Sequence, residues 1–176
     1  MGAPFVTPYA LWADTEVSAL STADHLLLTI ATELALPEGT FGCTHLIRGD
    51  RPRVALSFTV PSESLLRTAE EQLRRQGYEV TPGVPDLVGR AVVYPGADSL
   101  NGTLTVGELV ARSAIDRVTV LGAPGQPPAE QTLVTRSHVR PQWHGGDELV
   151  LAAMPAVGGT LVPFEVPDPT PCCADH

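Results

Sequence analysis

Lysine is absent from this chain of 176 residues; all 11 basic residues are arginine. That removes Schiff-base chemistry on a lysine, a pyridoxal-phosphate anchor and a phosphate-loop lysine. Arginine used to the exclusion of lysine is also the habit of GC-rich bacterial coding, and a bacterial source is the expectation. Aromatic residues are only 5 % of the chain, so the core must be built from Leu, Val and Ala. No apolar run approaches the length that spans a bilayer; the longest, at positions 26–31, is interrupted by Thr29. Positions 1–12 show neither a basic segment nor an apolar one, so no secretory signal is read there. A cytoplasmic location is the default expectation, with the three cysteines reduced.

Other signatures are missing too. There is no Gly-x-Ser-x-Gly elbow, no Gly-x-Gly-x-x-Gly loop and no His-Glu-x-x-His helix. No carboxylate pair stands out for acid–base work. The net charge of −9 repels phosphate backbones and anionic lipid, which argues against nucleic-acid and membrane partners. A protein partner or self-association is left open by composition.

What the chain does contain is 43 % hydrophobic residues, enough for a core, and 17 prolines, about twice the usual share. The patterning predicts an α+β fold. Ser21–Leu36 reads as a helix with Ser21 as its cap and Asp24 in its first turn. Thr40–Ile47 and Arg53–Val60 read as a hairpin. Phe41, Cys43, His45 and Ile47 share one face of the first strand, and Val54, Leu56, Phe58 and Val60 alternate with Ala55, Ser57 and Thr59 on the second. A second helix is expected from Ser62 through Gln76, with Gly77 ending it. Tyr78–Val80 would complete an α-β-β-α-β antiparallel lobe over residues 1–84. The Pro/Gly-rich stretch 81–86 reads as a boundary. Residues 85–176 read as a β-rich meander lobe, with a capping box at Thr105 and Glu108 opening its one short helix. One continuous domain with a single shared core is the alternative organisation.

The chemistry-bearing cluster lies at the end of the chain. Cys172, Cys173 and His176 place two thiols and an imidazole within five residues. Cys173 and His176 have a spacing at which both side chains can close on one ion. Adjacent cysteines are too close for an easy local disulfide. Two thiolates and an imidazole suit zinc, or Cu(I) in a thiolate-rich site. A fourth ligand would come from Cys43 or His45, which alternation sends to the same side of a strand. The first functional expectation is therefore a small metal-binding protein with Cys172, Cys173, His176, Cys43 and His45 as candidate ligands. Whether the ion would be structural, carried or catalytic is open. The second expectation is a non-catalytic interaction or adaptor module, and the third is an enzyme with a thiolate nucleophile and a histidine base. Trp143-His144-Gly145-Gly146-Asp147 is a further candidate, either lining a pocket or forming a hairpin turn. Arg48, Arg51 and Arg53 form a basic group near the turn of the first hairpin.

Overall fold

Two strands whose large apolar residues alternate with small or hydroxyl-bearing ones set the architecture. A computed structural model describes residues 9–145 and 147–167. The fold is mixed α+β, with three α-helices and eleven strands among the described residues. The chain divides into two compact units. The first runs through Pro95 and is completed by Gln142–Gly146; the second comprises Gly96–Pro141 and the chain from Asp147 onward.

The first unit contains β1 (Tyr9–Asp14), α1 (Leu20–Glu33), β2 (Phe41–Ile47), β3 (Arg53–Val60), α2 (Glu63–Arg75), β4 (Val80–Pro82) and β5 (Arg90–Val93). The second unit supplies β6 (Thr103–Thr105), α3 (Val106–Arg112), β7 (Arg117–Val120) and β8 (Thr132–Val134). The chain then returns to the first unit as β9 (Gln142–His144), and ends in the second with β10 (Glu148–Pro155) and β11 (Leu161–Pro163).

In the first unit the strand order is β4-β1-β3-β2-β5-β9, antiparallel throughout. β1 is an addition to the α-β-β-α-β order expected for residues 1–84. It pairs along its whole length with β3 and with β4 on its other side. One face of the sheet carries the core. Leu11, Val54, Leu56, Phe58 and Val92 pack with Ala23, Leu27 and Ile30 of α1 and with Ala69 and Leu73 of α2. Each large side chain so buried contributes roughly 1.5–3 kcal/mol.

The second helix follows its sequence signals closely. Ser62 Oγ accepts from the Leu65 amide. At the other end Gly77 takes φ +93°, its N–H bonding Arg74 O while the Tyr78 N–H bonds Leu73 O. That is the paired closure of a glycine-terminated helix, and a left-handed φ is what favours glycine there. The first helix departs from expectation. It begins at Leu20 behind Ala19, with no side-chain cap, and its first turn holds no acidic residue. Asp24 instead points into the protein, where its carboxylate binds Arg90 at 2.5 and 2.9 Å. Arg90 also donates to Thr44 Oγ1 at 3.2 Å. A buried charge needs paired hydrogen bonds, and this requirement overrides the weaker preference of an acid for the helix start.

The second unit has the strand order β6-β8-β11-β10-β7. It is not the meander that consecutive strands suggest. β7 runs parallel to β10 and β8 parallel to β11, and β10–β11 is the pair formed by neighbours in sequence. The capping box is present, with Thr105 Oγ1 accepting from the Glu108 amide at 3.1 Å and Glu108 Oε2 accepting from the Thr105 amide at 2.9 Å. Asp116 ties β7 to β10, its carboxylate taking the Leu149 amide at 2.7 Å and its own amide reaching Leu149 O at 2.8 Å. No helix among the described residues is long and apolar enough to cross a membrane.

Candidate ligand cleft

The hairpin register decides what faces away from the helices in the first unit. Phe41 lies opposite Thr59, Cys43 opposite Ser57 and His45 opposite Ala55. Alternation sends these residues to the side of the sheet not occupied by the core, as the sequence predicts for Phe41, Cys43 and His45. No helix of this unit belongs to that side. The segment 84–89 and the indole of Trp143 cover it instead, leaving a cleft of about 890 Å³ lined by Phe41, Cys43, His45, Ser57, Thr59, Val84, Pro85, Asp86, Leu87, Val88, Gly89, Trp143 and Gly145.

The covering pieces are held by backbone. The Trp143 amide donates to Gly89 O at 2.9 Å, and Arg90 pairs with Gln142 as β9 joins the sheet edge. Trp143 meets Phe41 with ring centroids 5.4 Å apart and planes at 55°, a favourable tilted aromatic contact. Gly89 is a close-approach position. A β-carbon there would stand 3.1 Å from His45 Cε1 and 3.1 Å from Trp143 Cδ1. Val84, Leu87 and Val88 line the cleft and are all substantially exposed.

At the bottom of the cleft lie Cys43, His45 and Ser57. His45 Nε2 is 2.7 Å from Ser57 Oγ, and His45 Nδ1 is 3.3 Å from Leu87 O. Burial lowers the His45 pKa, against a smaller opposing effect of the Leu87 and Val88 carbonyls. Burial raises that of Cys43 to about 11, with the hydrogen bonds from Trp143 and Ser57 opposing it. At neutral pH the imidazole is therefore uncharged and the thiol protonated. One proton arrangement satisfies both imidazole nitrogens. His45 Nδ1–H donates to Leu87 O and Ser57 O–H to His45 Nε2. In it the unprotonated imidazole nitrogen is directed at the serine hydroxyl.

The residues singled out by sequence fall as follows. Cys43 and His45 meet in this cleft, and Cys43 is a free thiol. No third His, Cys, Asp or Glu joins these two within ligating distance among the described residues. Cys172, Cys173 and His176 lie outside the described residues. Trp143 forms the cleft wall, whereas its neighbour His144 is exposed. Arg48 and Arg51 are exposed, but Arg53 is engaged by Asp14, its Nε lying 2.7 and 2.8 Å from the two carboxylate oxygens. His138, in the second unit, pairs with Glu165 at 3.0 Å. Ser57 and the segment 84–89 carry no motif and were not candidates in the sequence. Comparison with known protein families, with curated proteins and with solved structures gives no match to this chain.

Proposed function

We propose that this protein binds a small, largely apolar molecule bearing a carbonyl or hydroxyl group. The apolar body lies against Phe41, Trp143 and Leu87; the polar group meets Ser57 and His45. One observation carries the reading. A sheet face without helices is hollowed into a cleft of about 890 Å³ whose floor holds an uncharged His45–Ser57 pair among apolar walls. Ligand pockets combine apolar walls with a few placed polar groups in this way, and fall in this size range. The test is titration with butyrophenone, an aryl ketone, followed by tryptophan fluorescence and by thermal stabilisation. Saturable binding that disappears in Thr59→Phe, which fills the cleft, is expected. Binding that survives in the filled variant, or no binding by either readout, overturns the proposal.

A second reading is a zinc site made by Cys172, Cys173 and His176, with Cys43 or His45 as the fourth ligand. The placing of Cys43 and His45 in one cleft favours it. It requires Ser57 to leave His45 Nε2 or the Cys43 thiol to give up its proton. Stoichiometric zinc in protein purified without added metal, lost in Cys43→Ala or in His45→Ala, would establish it in place of the first; metal-free protein removes it.

A further inference from the structure

Chemistry beyond ligand capture is concentrated at the cleft floor. In the second unit, the cavity of about 330 Å³ beside His138 and Glu165 pairs a base with an acid but presents no serine, threonine or cysteine along its lining. The solvent-facing Arg/Glu rows on α2 are ion pairs along one helix. Among the described residues, only the cleft floor joins a hydroxyl, a base, an orienting group and adjoining space.

We propose that Ser57 is a nucleophile activated by His45, and that the protein hydrolyses neutral esters of apolar carboxylic acids. The proposal rests on the cleft reading above and adds a reaction to it. Nucleophile and base must lie within hydrogen-bond reach, with a third group orienting the base. Ser57 Oγ is 2.7 Å from His45 Nε2, and Leu87 O, 3.3 Å from Nδ1, fixes the imidazole with its unprotonated nitrogen toward the hydroxyl. A histidine–serine pair that only satisfied two buried polar groups would need no void beside it; this one borders the cleft. Cys43 is the alternative nucleophile on the same floor, but it is protonated at neutral pH, and a thiol attacks as the thiolate.

The atoms balance without an added cofactor. Ser57 Oγ attacks the ester carbonyl carbon while its proton passes to His45 Nε2. The tetrahedral adduct collapses with cleavage of the bond to the alcohol oxygen, which takes that proton and leaves as the free alcohol. Water then attacks the acyl-serine, giving a proton to His45. The bond to Ser57 Oγ breaks, the proton returns to the serine, and the carboxylic acid departs. The net reaction is ester plus water to acid plus alcohol. The acyl group lies along Phe41 and Trp143, so apolar acyl chains are preferred over acetyl.

The experiment follows 4-nitrophenyl butyrate hydrolysis by the full chain at neutral pH, with intact-mass and peptide analysis after treatment with a fluorophosphonate. Expected are turnover above the protein-free rate, a phosphonyl adduct on Ser57, and a drop of about 100-fold or more in Ser57→Ala. Ser57→Cys supplies a second readout that needs no turnover. His45 should activate the new thiol, so iodoacetamide labels position 57 faster than Cys43. If wild-type protein binds butyrophenone yet neither hydrolyses the ester nor takes the adduct on Ser57, the hydrolytic proposal fails and the cleft reading stands. If butyrophenone does not bind either, both fail. An adduct on Cys43 or elsewhere, with Ser57→Ala as active as wild type, also overturns the hydrolytic proposal.

Discussion

The two faces of the first unit's sheet are made by alternate residues of the same strands, and they are filled in opposite ways. Toward the helices, β3 presents Val54, Leu56 and Phe58, packed with residues of α1 and α2, and Val60, which is buried as well. Toward the cleft it presents Ala55, Ser57 and Thr59, where β2 adds Cys43 and His45. Hydrophobic burial would have been served equally well by large aliphatic residues on both sides. Small and hydroxyl-bearing side chains on one side leave volume there and put hydrogen-bonding groups at its floor. A strand buried on both faces can thus devote one to stability and the other to recognition.

Substitutions should separate these two roles. The largest effect is expected on the helix side. Phe58→Ala removes a ring that is 1 % exposed and should cost about 3–5 kcal/mol, read from the midpoint of urea unfolding. A shift under 1 kcal/mol would show that this face is not the core. On the cleft side the counterpart is pH. The Cys43 pKa is raised from 9.0 to about 11, so its contribution is complete below pH 9 and is lost as pH rises through 11. That amounts to roughly 3 kcal/mol. At the acid end the His45 pKa is lowered from 6.5, so the unfolded chain binds the proton first; stability is full above that pH and falls as pH drops below it. Urea unfolding across pH 5 to 11 checks both, and Cys43→Ala should flatten the alkaline limb relative to wild type. Smaller again is Gly89→Ala, whose β-carbon would crowd His45 and Trp143 at 3.1 Å each. A cost of about 1–3 kcal/mol is expected, with a change in Trp143 fluorescence and weakened butyrophenone binding. Unchanged fluorescence and binding would mean that segment 84–89 does not hold those rings.

How much of this was legible in the sequence depends on the range of the interaction. Local signals translate directly. The alternation in Thr40–Ile47 and Arg53–Val60 gives the hairpin and its faces, Ser62 and Gly77 bracket α2, and Thr105 with Glu108 opens α3. β1 was hidden because its six residues, Tyr-Ala-Leu-Trp-Ala-Asp, alternate weakly; its identity comes from pairing with β3 and β4. Asp24 was misplaced because its partner, Arg90, is 66 residues away. The parallel pairs of the second unit join strands with others between them, and no local pattern announces such pairings. In the site, the common face of Cys43 and His45 was readable. Ser57 was readable in principle, because the hairpin register puts it opposite Cys43. The stretch 81–86 was read as a boundary on its Pro/Gly content, and its last three residues belong to the segment that lines the cleft; nothing local distinguishes a loop that departs from one that folds back over a sheet.

The route of the chain has a consequence for synthesis. Trp143 belongs to the first unit but is encoded after the excursion Gly96–Pro141. As the polypeptide leaves the ribosome, β5 can dock on β2 long before β9 exists to pair with it at Arg90 and Gln142. During that interval its outer backbone edge lacks β9, and such edges invite pairing with other nascent chains. The cleft's aromatic wall is therefore also a late-arriving seal, and deleting it should show itself first as lower soluble yield.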